Sequence, residues 1–262
     1  MTPAFLRCAT VLIAAAGMGL LSAPVRAFGQ EGECSVPERF YASEPTLNKT
    51  IKAFAGGREV VIAVLGGAST LGRAAGGRDL AWPARLASAL AERFPSARTK
   101  VVNLAVAGQT AKEAVKRMDR DVVPLKPTLV IWETGTMEAV RGTDVDEFRE
   151  AMKAGIDELR GAGAEVVLMN VQFSRETDAM IHFGPYLTAM RELAEANDVP
   201  VFRRRGIMRH WDESGALDLR AKEGEKRRQV AAKLYDCIGR AMSDFVTRGV
   251  PAAKPAASRS DR

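Results

Sequence analysis

The residues from Glu59 to Gly72, EVVIAVLGGASTLG, put two hydroxyls where chemistry is commonly found. A run of β-branched and apolar residues ends at Gly66 and Gly67, which predicts a buried strand broken by a turn. Ser69 and Thr70 lie on that turn, at the carboxyl end of the strand. Open α/β sheets bind their ligands on this side, so each hydroxyl is a candidate nucleophile or anion contact. Two later junctions are similar in character. Ala107-Gly108-Gln109-Thr110 follows a second predicted strand, and Glu133-Thr134-Gly135-Thr136-Met137-Glu138 follows a third. Backbone amides at a loop-to-helix junction are preorganised donors that can hold an oxyanion. What Ser69 lacks in its own segment is a base.

These loops need a frame, and the hydrophobic pattern supplies one. Strands are predicted over 59–65, 99–105, 128–133, 164–170 and 199–203. Helices are predicted near 44–55 and over 80–94, 109–122, 144–162, 184–197, 205–212 and 225–247, with Gly161 and Gly163 suited to a helix end. Strands separated by helices of this length make right-handed parallel crossovers. The expected fold is therefore α/β: a three-layer α/β/α sandwich around a five-stranded parallel sheet, in the flavodoxin-like order 2-1-3-4-5.

Other polar groups reach the same rim of the sheet. Glu133 ends strand three, where burial would make it an acid or base, or leave it hydrogen-bonded to loop amides. Gln172 and Ser174 follow strand four. Arg203-Arg204-Arg205 with Arg209 either frame an anionic ligand, pair with carboxylates or form a solvated face. Trp82, Trp132 and Trp211 read as core anchors. No Cys/His cluster has metal-ligand spacing and no nucleotide-binding glycine fingerprint follows strand one, so neither cofactor nor metal is expected.

The chain has 262 residues, of which 47% are hydrophobic and 27% charged, as in ordinary globular proteins. Residues 1–27 resemble a secretory signal, with Arg7 before an apolar run and Val25-Arg26-Ala27 at the cleavage position. The apolar run is shorter than the ~20 residues of a spanning helix. An exported chain, secreted or periplasmic and without an integral membrane segment, is the expected product. With Arg7 and Arg26 gone, 36 basic residues face 32 acidic ones, and the formal charge falls from +6 to +4. That balance gives no argument for nucleic acid. Cys8 leaves with the signal. Cys34 and Cys237 remain, either as a disulfide tying the leading segment to the last helix or as two separate thiols, and export favours the bond. Residues 28–57 read as a lead-in with a short helix, 58–248 as the domain, and 249–262 as a disordered Pro/Ala/Ser-rich tail.

Over most of residues 58–247 the chain resembles the SGNH hydrolase superfamily, the GDSL-type esterases and lipases. Ser69 falls at the nucleophile of that family, with Gly67-Ala68-Ser69 in place of Gly-Asp-Ser. Asn103-Leu104-Ala105-Val106-Ala107-Gly108 is similar to its second block, whose glycine amide lines the oxyanion hole. Gly135-Thr136-Met137-Glu138 is similar to the third block, Gly-x-Asn-Asp, but Met137 replaces the asparagine and cannot donate a hydrogen bond. The family's final Asp-x-x-His block reads ESGALDLRAKEGEKRR, with Asp218 and no histidine. His210, after strand five, and His182, four residues beyond Asp178, are the substitutes on offer as base. The alternative for His210 is a helix residue packed beside Trp211. The resemblance implies an exported ester hydrolase or acyl transferase acting through Ser69 and Gly108 on glycan, lipid or small-molecule esters, in which His210 would then have to act as the base. The alternative is an SGNH-fold binding or accessory protein that has lost the catalytic set.

Overall fold

In the computed structural model, residues 34–41, 44–220 and 224–251 are described. The signal-like segment 1–27, residues 28–33 of the lead-in, Lys222 and the tail from 252 onward lie outside them.

The apolar runs form β1 (Val60–Leu65), β2 (Thr99–Asn103), β3 (Leu129–Glu133), β4 (Glu165–Met169) and β5 (Val201–Phe202). All pair in parallel, in the order β2-β1-β3-β4-β5. Around them run α1 (Asn48–Ala55), α2 (Trp82–Arg93), α3 (Ala111–Val115), α4 (Met118–Asp121), α5 (Thr136–Arg141), α6 (Val145–Gly161), α7 (Arg175–Met180), α8 (Gly184–Ala196), α9 (Arg204–Glu213) and α10 (Gly224–Val246). The expected sheet order and the α/β architecture are both found.

Strand alternation splits the interior into two apolar clusters, one on each face of the sheet. Ile62, Val64, Leu129, Ile131, Val167, Met169 and Phe202 meet α1, α2, α9 and α10 on one face. Ala63, Leu65, Val130, Trp132, Val166 and Leu168 meet α3, α4, α6 and α8 on the other. The three tryptophans are core anchors, each no more than 1% exposed. By the same alternation Glu133 belongs with Leu129 and Ile131, on the α9/α10 side. That assignment decides what it meets.

Several elements differ from the sequence pattern for local reasons. The helix expected over 109–122 is broken at Arg117, whose guanidinium turns to the Leu104 carbonyl and the Gln109 side chain. Two short helices went unread because side chains close their first turns. Glu138 accepts from the Gly135 amide at the start of α5, and Ser174 caps α7. At the edge, β5 is only two residues long, and the Val201 amide is taken by Glu44. This satisfies an edge donor that would otherwise be open.

The leading segment is stitched to the domain. Cys34 and Cys237 form a disulfide, with Cα atoms 4.9 Å apart. The Trp211 indole donates to the Ser35 carbonyl at 2.8 Å, and Arg248 donates to the Tyr41 carbonyl. Among the described residues, no helix is long and apolar enough to cross a membrane.

Candidate functional site

Ser69 stands on the turn after β1, half-buried. Its hydroxyl donates to the Glu133 carboxylate, with Oε1 at 2.9 Å and Oε2 at 3.1 Å, and accepts from Arg204 Nη1 at 3.1 Å. Arg204 Nη2 also donates to Glu133 Oε1 at 2.8 Å. Hydroxyl, carboxylate and guanidinium thus close a ring of three mutual contacts. A second hydroxyl, Thr70 Oγ1, donates to Glu133 Oε2 and accepts from the Trp82 indole at 3.1 Å. Arg204 is fixed from behind by Nε, which donates to the Asn170 carbonyl at 3.1 Å.

The backbone makes room for this ring at Gly66. A Cβ there would lie 2.5 Å from Thr70 Oγ1 and 2.8 Å from Glu133 Oε2, inside any tolerable contact. The glycine break that marked the end of the strand in the sequence is therefore a steric requirement of the carboxylate.

The Arg204 and Glu133 side chains are only 1% and 6% exposed. Burial alone would push the Glu133 carboxyl up. The Arg204 guanidinium and the hydroxyls of Thr70 and Ser69 outweigh it and hold the carboxyl below the usual carboxylate range. Tyr235, on α10, lies close enough for both charges to act on its phenol, which burial pushes above its ordinary value.

The loop after β2 is laced onto the Ser69 turn. The Val106 amide donates to the Gly66 carbonyl at 2.9 Å, and Asn103 Nδ2 donates to the Thr70 carbonyl at 2.7 Å. Gly108 takes a positive φ of 76°, and its carbonyl accepts from Arg141 at 2.8 Å. Among the described residues, the amides of Ser69 and Gly108 have no protein acceptor. Glu138 ties the third loop to the second by accepting from the Ala111 and Gly135 amides. Burial pushes its carboxyl above the ordinary value despite those donors. Met137, between these braces, is half-buried and is packed against neither apolar cluster.

The structure does not bring His210 to Ser69. Arg204 opens α9 at the rim, and six residues later the helix has run about 9 Å back along the sheet and turned by about 120°. The His210 ring lies against Phe40, with centroids 6.1 Å apart. Asp212 is buried in an ion pair with Arg175 at 2.7 Å, and Asp218 accepts from the Arg220 amide. His182 is exposed and lies beyond the end of α7, so it does not share a helix face with Asp178. Asp178 instead pairs with Arg205 and Arg209. The arginine run is thus distributed among carboxylates: Arg203 on Glu44, Arg204 on Glu133, Arg205 and Arg209 on Asp178. Of the other rim groups, the Gln172 carbonyl accepts from Arg205, and Ser174 is a helix cap. Among the described residues, no group of three His, Cys, Asp or Glu is placed to hold a metal.

Arg204 is the residue that sequence reasoning missed as a site member. The available signal was indirect: a glutamate ending an apolar strand needs a buried cation, and the Arg203–Arg205 run was the nearest supply at the same rim.

A sequence profile of the non-GDSL lipase-like family matches residues 33–252. The chain belongs to the non-GDSL lipase-like family. The match includes the disulfide-tied leading segment as well as the sheet. A search of curated proteins finds no significant match. Among solved structures, this non-GDSL lipase-like protein shares its fold with several esterases. One is a two-domain esterase active on acetylated mannans, with a TM-score of 0.64, 17% identity and 85% of this chain covered. The chain spans 60% of that protein's length. Another is a psychrotrophic esterase from Pseudoalteromonas sp., with a TM-score of 0.54, 17% identity, and 71% of this chain and 98% of that one covered. A third is a catalytic mutant of an acetylxylan esterase from Geobacillus stearothermophilus, with a TM-score of 0.54, 20% identity, and 69% and 94% covered. At these identities the likeness establishes the α/β fold that these esterases share.

Proposed function

We propose that the protein is an exported SGNH-type ester hydrolase or acyl transferase whose nucleophile is Ser69. The observation that carries this reading is the engagement of the Ser69 hydroxyl by both oxygens of the Glu133 carboxylate, at 2.9 and 3.1 Å. A serine hydroxyl is a weak nucleophile unless an adjacent acceptor draws its proton. Preorganised amides receive the charge that develops on the carbonyl oxygen, and those of Ser69 and Gly108 are the donors assigned here. The substrate class is an acyl ester on a glycan or lipid, with O-acetyl groups favoured. Esterases of the same fold active on acetylated mannans and xylan support that choice. Export is supported by the signal-like start of the chain and by the Cys34–Cys237 bond.

The test is reaction with a fluorophosphonate probe. Labelling of wild-type protein that is absent from Ser69→Ala, with hydrolysis of p-nitrophenyl acetate lost in the same variant, is the expected result. A folded wild-type protein that takes no label and cleaves no ester overturns the reading. One observation favours a binding or accessory protein instead: among the described residues the Ser69 hydroxyl is met by Glu133 and Arg204 and not by a histidine, and position 137 is Met and not an amide. In that case the fold would retain a pocket for the ester without turning it over.

A further inference from the structure

We propose that Glu133 is the general base for Ser69, with Arg204 holding the carboxylate and the hydroxyl in register, so that the site runs on a serine–glutamate pair in place of a serine–histidine pair. The proposal rests on the reading of Ser69 as nucleophile and names the group that activates it.

Geometry comes first. Both Glu133 oxygens lie within hydrogen-bond reach of Ser69 Oγ, at 2.9 and 3.1 Å, which is the range required of a base that abstracts this proton. A hydroxyl carries one proton and two lone pairs. The proton points to Glu133, one lone pair accepts from Arg204, and the second remains for attack. The carboxylate cannot swing away. Arg204 Nη2 holds Oε1, Thr70 holds Oε2, and the Trp82 indole holds Thr70. Arg204 is itself anchored on the Asn170 carbonyl.

In the acylation step, Ser69 Oγ bonds to the ester carbonyl carbon as its proton passes to Glu133. The carbonyl π pair moves onto oxygen, facing the Ser69 and Gly108 amides. Collapse of this intermediate breaks the bond to the leaving alkoxide, which takes the proton from Glu133 and departs as the alcohol. Water then attacks the acyl-enzyme and gives a proton to Glu133. That proton returns to Ser69 Oγ as the acyl–oxygen bond breaks. Ester and water are consumed, and acid and alcohol are formed. Every proton is accounted for by one carboxylate.

Among the described residues, the charged and titratable groups that act on Glu133 are Arg204 from α9 and Tyr235 from α10. Arg204 keeps the carboxylate ionised to lower pH than usual, which makes the base available in acid but lowers its driving force for proton transfer. Slow turnover with an acid-tolerant profile is the signature of that balance.

The experiment measures the pH dependence of fluorophosphonate labelling of Ser69 in wild-type protein, then repeats it in Glu133→Gln and His210→Ala. A glutamate base predicts labelling that is level from pH 8 down to about 5 and falls only below the ordinary carboxylate range of about 4.3. A half-fall near pH 6.5, where histidine titrates, overturns the proposal and leaves the Ser69 reading standing. Glu133→Gln should label at least about 100-fold more slowly, the lower end of what a general base contributes, whereas His210→Ala should match wild type. Folded Glu133→Gln that labels at the wild-type rate also overturns it. Should that variant not fold, the wild-type pH profile decides alone. Wild-type protein that takes no label at all overturns both the base and the nucleophile.

Discussion

Arg204 and Glu133 meet at 2.8 Å, both closed to solvent, with Ser69 Oγ bonded to each. A buried pair of this kind adds little net stability as a whole but is costly to break from one side, because the remaining charge has no solvent. Arg204→Met should therefore destabilise the fold by about 3–5 kcal/mol. Arg204→Met combined with Glu133→Gln should recover much of that loss. Urea unfolding of the single and double variants checks it. Equal loss in both would show that Arg204 acts through apolar contact and not through charge.

The same pair makes stability depend on pH in acid. Glu133 has a folded-state pKa below its unfolded value, so its contribution is fully present above the unfolded value of about 4.3 and is lost as pH falls through the folded value. Glu138 works in the opposite sense. Its folded pKa is raised, so it costs stability above that range and the cost disappears on acidification. Glu133→Gln should lower stability at neutral pH and remove the part of acid unfolding that falls below the ordinary carboxylate value of about 4.3, whereas Glu138→Gln should remove a cost that grows as pH rises above that value. Unfolding free energies measured across pH 3 to 8 separate the two.

Gly66→Ala should damage the site before it damages the sheet. The added methyl would press on Thr70 Oγ1 and Glu133 Oε2 at distances that force one of them to move. Overpacking of this kind costs about 1–3 kcal/mol. Labelling of Ser69 should fall further than that loss of stability explains, since the carboxylate is displaced from the hydroxyl. A variant that is destabilised but labels normally would remove Glu133 from the activation of Ser69.

The sheet was legible because its strands are apolar runs punctuated by glycine and proline, and burial leaves such runs few alternatives. Ser69 was legible for the same reason, through Gly66 and Gly67. Even the side of the sheet taken by Glu133 follows from counting by twos from Leu129. Its partner does not. Arg203, Arg204 and Arg205 are identical letters in a row, and only the start of α9 turns the middle one inward, 71 residues from Glu133. His210 misled for a related reason. It follows β5 closely in sequence, but α9 carries it back along the sheet to Phe40. The short helices α5 and α7 depend on caps supplied by Glu138 and Ser174, which a periodic pattern does not register.

Reduction of the Cys34–Cys237 bond should lower stability more than the loss of a local link would. The bond joins residues 203 positions apart, and closing a loop of that length removes a large part of the unfolded chain's freedom. About 2–5 kcal/mol should be lost in Cys34→Ala with Cys237→Ala, read as a fall in Tm against wild type under oxidising conditions. The two proteins should converge when both are reduced. Persistent divergence would assign the effect to the packing of Cys237, which is fully buried in α10.

Met137→Asn should raise esterase activity. Position 137 lies in the first turn of α5, between the Gly135 amide and the buried Glu138 that holds it, and its side chain is half-buried and packed against neither apolar cluster. A thioether offers an oxyanion nothing, whereas an asparagine amide donates. Losing one such donor costs other enzymes about 10²–10³ in kcat. Restoring one should give an increase of about tenfold or more in kcat for p-nitrophenyl acetate, with KM little changed, because the new bond strengthens as charge develops on the oxygen. Met137→Leu serves as the control for shape and should leave kcat near the wild-type value. A Met137→Asn protein that folds normally, labels at the wild-type rate and shows no gain in kcat would place the oxyanion away from α5. The Ser69 and Gly108 amides would then be its whole support.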